Sequence, residues 1–119
     1  MIELIEVIGA EVVIFEKFLQ TLQRQQDALV DNDLELLNET TAELETLTQE
    51  TRKTEQRRRK IVGKVIADLE LEPDDVNLTQ LAALANASES NELTTLQQTL
   101  LDLHEQIQAA KNRNEFLIK

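Results

Sequence analysis

The sequence has no cysteine, tryptophan or tyrosine, and it contains only two glycines, one proline and three phenylalanines. Without cysteine, disulfides and thiolate metal sites are excluded. So few turn residues and aromatics leave little material for a β-sheet, whereas the abundant Leu, Glu, Gln, Thr and Ala favour long helices. The chain of 119 residues is expected to form a single domain, residues 1–119.

The charge is strongly negative, with a formal net value of −11 and acidic residues along the whole length. This excess argues against nucleic acid, which is bound by cations that neutralise phosphates, and against anionic membrane surfaces. The apolar N-terminus is interrupted by Glu3, Glu6, Glu11 and Glu16, so it resembles neither a signal peptide nor a membrane span. We expect a cytoplasmic protein that binds no nucleic acid and does not insert into a membrane.

Apolar residues recur in alternating steps of three and four, the pattern of one face of a long helix. The predicted helices span residues 2–30, 34–70, 77–84 (a short extra helix) and 91–119. Asp33 is predicted to cap the second helix, and residues 87–90 are predicted to form a loop in which Ser90 caps the last helix. Three long helices with one tight and one longer connection predict an all-α fold, an antiparallel bundle.

Seven of the twelve cations lie within thirteen residues of the second helix. They are Arg52, Lys53, Arg57, Arg58, Arg59, Lys60 and Lys64. If the first two helices fold back at residues 31–32, helical rise predicts three ion pairs across them. These are Arg52 with Glu11, Arg57 with Glu6, and Lys60 with Glu3. The cluster therefore either matches the acids of the first helix and fixes its register, or it forms a docking patch for an acidic partner.

The first helix carries more apolar surface than one neighbouring helix can bury. Val7, Val13, Ile14 and Phe18 lie off its main apolar stripe. Because large apolar patches are uncommon on monomers, either the third helix covers these residues or a second copy of the chain does. They are the candidate self-association residues of an alternative function, a structural coiled-coil module that forms a homo-oligomer through helix one.

No arrangement typical of catalysis is found in the sequence. His104 is the single histidine, and a carboxylate metal site in a bundle needs a Glu-x-x-His motif on two helices, whereas Leu101 stands three positions before His104. Neither a nucleophile–base set nor a glycine-rich phosphate loop occurs. We expect a protein that is not an enzyme, with no cofactor, no metal and no small-molecule substrate.

The segment KNRNEFLIK at 111–119 remains apolar at Phe116, Leu117 and Ile118. This is either a frayed bundle end or an interface of the type in which an amphipathic helix enters a groove. Asn114 falls on the apolar stripe itself, where a polar residue typically sets register at some cost in stability.

Three segments, in this order and spacing, resemble FlgN-type flagellar export chaperones. They are LVDNDLELLNETTAELETL (29–47), RRRKIVGKV (57–65) and LHEQIQAAKNRNEFLIK (103–119). The resemblance implies a type III secretion chaperone that binds the C-terminal helical segment of the hook-associated proteins at the hook–filament junction and keeps them soluble for export. It also implies client contacts in the C-terminal region, through Ile107, Ala110, Asn114, Leu117 and Ile118. Members of this family usually continue past the double-asparagine segment, so the chain is expected to be a fragment or a short member with a reduced groove.

Overall fold

The structure, a computed structural model, describes residues 2–68 and 87–118. Its helices are α1 (Ile2–Asp31), α2 (Leu34–Asp68) and α3 (Ala87–Ile118). The predicted all-α fold of three long helices that pack against each other is confirmed, and no strand occurs within these two ranges. The short helix predicted at 77–84, and residues 69–70 of the predicted second helix, lie outside the described residues. None of the described helices has the length and apolarity needed to cross a membrane.

The turn between α1 and α2 satisfies both helix ends with its own polar groups. Asn32 has a left-handed backbone, with φ at 57°, which asparagine adopts more readily than most residues. The Asp33 amide therefore donates to the carbonyl of Ala28 at 2.9 Å, as in a Schellman motif. Asp33 Oδ1 accepts the amide of Leu36 at 3.1 Å, so the predicted N-cap of the second helix is confirmed.

α1 is the central helix of the bundle. α2 folds back antiparallel to α1, whereas α3 runs parallel to it, because Leu93 packs beside Leu4 and Asn114 lies beside Leu22. α2 and α3 each pack along α1 and make little direct contact with each other. The described helices together form a rod of 55 × 22 × 22 Å.

Two apolar clusters, which lie at different heights along α1, contain seven of the ten buried apolar residues of the described helices. The first contains Leu4, Val7, Ile8 and Leu93, with Ile5, Ile61, Val62, Val65, Leu96 and Leu100 packed around it. The second contains Leu22, Ile107 and Ala110, with Phe15, Phe18, Leu19 and Leu44 around it. Full burial of such a side chain contributes about 1.5–3 kcal/mol, so these clusters hold the two outer helices to α1.

The middle of α2 contributes threonines rather than leucines to the inside of the bundle. Residues 48–60 contain no apolar side chain. Thr54 is 8% exposed, and its hydroxyl donates to the carbonyl of Glu50 at 2.8 Å, so its burial leaves no unpaired donor. Threonine side chains satisfy their polar groups in this way but fill little space. The packing between α2 and α3 is consequently open at this height.

The predicted register between α1 and α2 was wrong by several residues. Arg58, rather than Arg52, lies beside Glu11 at 3.3 Å, and Lys64, rather than Lys60, reaches Glu3 at 3.9 Å. The helices turn at residues 32–33 instead of 31–32. In addition, helical side chains lean toward the N-terminus of their own helix, so the cations of α2 reach toward the turn. Both effects move each contact in the same direction.

The loop predicted at 87–90 was also wrong, because these residues form the first turn of α3. Serine has only moderate helix propensity, but the cost relative to alanine is about 0.5 kcal/mol per residue. Glu89 in this first turn has a favourable interaction with the helix dipole. The small cost of serine and the favourable interaction of Glu89 together allow the helix to include Ser88 and Ser90.

Candidate functional site

The last turn of α3 carries three apolar side chains that the bundle leaves in water. Phe116 is 80% exposed, Ile118 is 63% exposed and Leu117 is 40% exposed. Two further exposed apolar residues, Val30 and Leu34, flank the turn between α1 and α2. Because Asn114 is level with Leu22, parallel helical rise places Ile118 about one turn from Val30. We call these five residues, which lie at the same end of the rod, the apolar end.

Below the apolar end, α3 is fixed to α1 by a buried asparagine. Asn114 is 2% exposed, and its Nδ2 donates to the backbone oxygen of Leu22 at 2.8 Å and to Oε1 of Gln25 at 3.0 Å. Its Oδ1 is buried and accepts no hydrogen bond from any described residue. An unpaired buried acceptor costs about 1–3 kcal/mol, so Asn114 gives orientation to α3 at the expense of stability.

An open groove lies between α2 and α3, and its floor consists of two phenylalanines of α1. Phe15 and Phe18 pack on one side against the second core cluster and on the other side face the groove. The walls consist of Thr48, Thr51 and Glu55 from α2, and His104, Ile107, Gln108 and Lys111 from α3. The groove has a volume of about 230 Å³. It exists because short and polar side chains of α2 and α3 do not meet above the phenylalanines.

One cation lies over the aromatic floor of the groove. The Nζ of Lys111 is 5.0 Å from the centroid of the Phe18 ring, within the range of a cation–π contact. Lys111 is exposed, so its flexible stem can leave the ring when another apolar group arrives. About two turns beyond Lys111, and on the same side of the helix, α3 presents Ile118 of the apolar end. The groove and the apolar end therefore follow one another along α3.

A buried carboxylate of α1, Glu11, lies near Arg58 and Glu55 of α2. Glu11 is 3% exposed, and burial raises its pKa above the ordinary value; the nearby Glu55 raises it further, whereas Arg58 lowers it. Although Arg58 Nη1 is 3.3 Å from Glu11 Oε1, the two atoms do not form a hydrogen bond. Their attraction is therefore Coulombic, and it does not fully offset the desolvation of the carboxylate.

The five residues predicted to contact a client fall into two groups. Leu117 and Ile118 are exposed at the apolar end, whereas Ile107, Ala110 and Asn114 are buried against α1. Ile107 also borders the groove from the side of α3. The client contacts themselves stay a prediction, but Ala110 and Asn114 are accessible only if α3 leaves α1.

The four candidate self-association residues do not form one surface. Val7 is fully enclosed in the first core cluster and is not available to a second chain in this fold. Phe18 belongs to the floor of the groove, and Ile14 is partly buried. Val13 is 49% exposed, so it is the member of the set that could contact another molecule directly.

Within the described residues, no group of three or more His, Asp or Glu side chains is placed to hold a metal ion. His104 is exposed and borders the groove. The groove itself was missed from the sequence. The signal for it was the combination of Phe15 and Phe18 on α1 with the stretch at 48–60 that offers them no apolar partner.

A family model described as FlgN protein matches residues 1–119, the whole chain. Neither the curated proteins nor the solved structures contain a match to this chain.

Proposed function

The chain belongs to the FlgN family of flagellar export chaperones, and from that premise we propose that its clients are the hook-associated proteins of the hook–filament junction. In this proposal it binds the C-terminal helical segment of a client in the cytoplasm and keeps the client soluble for type III export. No nucleic acid, cofactor or small molecule takes part.

We place the client helix in the α2–α3 groove, with one end over the apolar end of the bundle. The observation that carries this proposal is the succession of the two surfaces along α3. Phe15 and Phe18 are partly exposed in the groove, and Ile118 is exposed about two turns beyond Lys111 on the side of α3 that lines the groove. From the level of Phe15 to the level of Val30, helical rise gives about 22 Å, which an amphipathic helix of about four turns spans. Such a helix would bind through its own apolar side chains at positions i, i+3 and i+4.

Burial of apolar surface drives the association in this mechanism. A client helix that removes about 500 Å² of apolar surface from water contributes about 12 kcal/mol at 25 cal/mol per Å². The losses of rotational freedom and side-chain entropy on association offset much of that gain. The client's own apolar face, which would otherwise promote aggregation, is covered in the same step. The acidic surface of the chaperone, with its net charge of −11, keeps the complex soluble.

The first experiment replaces two exposed residues of the apolar end and no core residue. The double variant Phe116→Ser/Ile118→Ser is co-expressed with the C-terminal helical segment of a hook-associated protein, and the complex is quantified by gel filtration. We expect loss of the complex, with binding weakened about tenfold or more, because two exposed anchors of about 1–2 kcal/mol each are lost.

A matched control tests whether any exposed apolar pair has the same effect. Ile2 and Leu101 are 68% and 55% exposed and lie away from the apolar end. The variant Ile2→Ser/Leu101→Ser should retain the complex. Equal loss of binding in both variants would show that the apolar end is not the binding surface.

The second experiment fills the groove. Gln108 is exposed and lies in the α3 wall, so Gln108→Trp places a large ring over Phe15 and Phe18 and should weaken client binding about tenfold. Gln106 is an exposed residue of the same helix that does not line the groove. Gln106→Trp should therefore bind as the unmodified chain does. If both tryptophan variants bind normally, the client lies elsewhere.

The alternative function, a coiled-coil module that self-associates through helix one, draws support from the exposure of Val13. It predicts oligomers that persist after removal of residues 107–119 and disappear in Val13→Ser/Ile14→Ser. The chaperone proposal predicts the reverse: removal of 107–119 abolishes the client complex, and Val13→Ser leaves it intact. Sedimentation velocity on each variant, with and without the client helix, separates the two functions.

A further inference from the structure

The outward side of α2 forms a basic surface with no acidic residue in it. Helical spacing places ten residues of α2 on this side, and every one of them is exposed. They are Gln49, Arg52, Lys53, Gln56, Arg57, Arg59, Lys60, Gly63, Lys64 and Ala67. Its cations extend over about 18 Å of helix, from Arg52 to Lys64. In a chain with a net charge of −11, so uniform a basic surface is an exception.

Charge matching within the bundle accounts for only part of the cluster. Arg58 faces inward toward Glu11, and Lys64 reaches Glu3 at the long distance of 3.9 Å. Five exposed cations form no ion pair within 4.0 Å of any described residue. They are Arg52, Lys53, Arg57, Arg59 and Lys60. Neighbouring like charges on a helix repel one another, so the surface has an electrostatic cost that a partner of opposite charge would remove.

We propose that this outward basic surface of α2 is a docking site for an acidic helix of another protein, separate from the client. Its length corresponds to about three to four turns of such a helix, so carboxylates at i, i+4 and i+7 would lie opposite Lys53, Arg57 and Lys60. The side of α2 that lines the groove carries Thr48, Thr51 and Glu55 instead. The two surfaces do not overlap, and one molecule can bind both partners at once.

Acidic residues along the borders of the surface favour a narrow partner over an extended polyanion. Glu50 and Asp68 lie along one border and Glu55 along the other. Each border residue is three or four positions from a cation of the surface, a helical spacing of about 5–6 Å between Cβ atoms, which is less than the Debye length of about 8 Å at physiological salt. A membrane or a nucleic-acid duplex is wide enough to contact these carboxylates as well, and would be repelled by them. A single helix is narrow enough to contact the cations alone.

The experiment measures binding of a fluorescein-labelled helical peptide of about 12 residues, with glutamates along one side, to the full chain by anisotropy. The test variant is Lys53→Gln/Arg57→Gln. The matched control, Lys17→Gln/Arg113→Gln, also removes one exposed lysine and one exposed arginine, from α1 and α3. We expect the test variant to bind about tenfold more weakly than the unmodified chain, and the control to bind within about twofold, since each exposed pair contributes up to about 1 kcal/mol. Binding should also weaken between about 0.1 M and about 0.5 M salt.

Three results would overturn the proposal. They are absence of binding at about 0.1 M salt, equal weakening in both variants, and tighter binding to a DNA duplex or to phosphatidylserine vesicles than to the peptide. The replaced side chains form no described ion pair, so the variants are expected to fold, which circular dichroism checks. Client binding should persist in Lys53→Gln/Arg57→Gln. A failure of this inference is therefore distinguishable from a failure of the chaperone function.

Discussion

At the scale of single residues, Asn114 determines how α3 lies on α1. Its two hydrogen bonds to Leu22 and Gln25 are possible at one height and rotation of the helix only. Asn114→Ala removes both bonds and leaves a void, so we expect the free energy of unfolding to fall by about 1–3 kcal/mol in urea titrations. Asn114→Leu fills the space and eliminates the unpaired Oδ1, so its stability should lie within about 1 kcal/mol of the unmodified chain.

Asn112 is the control for this prediction, because it is exposed on the same helix. Asn112→Ala should change the unfolding free energy by no more than about 0.5 kcal/mol. If Asn114→Ala is equally mild, the two hydrogen bonds contribute little and α3 is held by apolar contacts alone.

Glu11 makes the stability of the bundle depend on pH. Because burial raises its pKa in the folded state, the folded protein holds this proton at pH values where the unfolded chain has released it. The contribution of Glu11 to stability is therefore largest below the unfolded pKa, about 4.3, and falls as the pH rises through the folded pKa. Glu11→Gln should be more stable than the unmodified chain at pH 7, and this advantage should shrink toward pH 4.

Urea titrations of the two proteins across this pH range measure the effect. Glu16→Gln serves as the exposed control and should differ by no more than about 0.5 kcal/mol at pH 7. A Glu11→Gln variant that is less stable at pH 7 would mean that the attraction to Arg58 outweighs desolvation.

At the scale of helices, the α1–α2 turn depends on the left-handed backbone of Asn32. A residue with a Cβ atom and no polar side chain loses about 1–2 kcal/mol in that conformation. Asn32→Ala should therefore lower the melting temperature, whereas Asn32→Gly, which adopts the conformation freely, should not. Thermal melts followed by circular dichroism test the pair. Equal melting of both variants would show that the turn tolerates another backbone conformation.

The helices were largely predictable from the sequence, but their alignment was not. The three–four spacing of apolar residues located all three helices, and Asp33 marked the start of α2 because capping is a local interaction. The register that brings Arg58 beside Glu11 depends on the position of the turn and on the direction in which long side chains lean. The spacing of residues in the sequence reveals neither of these. Residues 87–90 were assigned to a loop from serine content, although packing outweighs so small a difference in propensity.

The candidate site shows the same division between local pattern and packing. The exposure of Leu117 and Ile118 agrees with the interface that the apolar sequence of 111–119 suggested. The interior position of Asn114 was already indicated by its place on the apolar stripe, but family resemblance alone assigned it a client contact. Val7 was predicted as a candidate self-association residue, although it is buried. The sequence does not show how much of the α1 surface α3 covers, because that depends on three-dimensional packing. The basic surface of α2 could not be separated from charge matching until the ion pairs were known.

At the scale of the whole molecule, α1 serves as a spine with different surfaces around it. The groove lies between α2 and α3, the apolar end lies at one end of the rod, and the basic surface lies on the outward side of α2. This separation follows from an arrangement in which the outer helices contact α1 and barely contact each other. A bundle in which α2 and α3 also packed against each other would have covered Phe15 and Phe18.

Net charge also acts on the whole molecule, and it predicts an unusual response to salt. The chain has a net charge of −11, and its described helices form a rod 22 Å across. The excess negative charges repel one another, and unfolding relieves this repulsion by separating them. Against it stand the three described ion pairs, of which Arg24–Glu43 and Lys64–Glu3 are exposed and contribute about 0–1 kcal/mol each. Salt screens repulsion and attraction alike, so the larger of the two determines whether the melting temperature rises or falls with added salt. We expect the melting temperature to rise by about 2–6 °C between about 0.05 M and about 0.5 M NaCl.

The variant Arg24→Gln tests the balance between these two effects. It removes the shortest ion pair, 2.7 Å, and makes the net charge more negative by one. Under the repulsion argument its melting temperature should rise with salt at least as steeply as that of the unmodified chain. A melting temperature that falls with added NaCl in the unmodified chain would mean that ion pairs hold the bundle together, and that the basic cluster of α2 acts mainly within the fold.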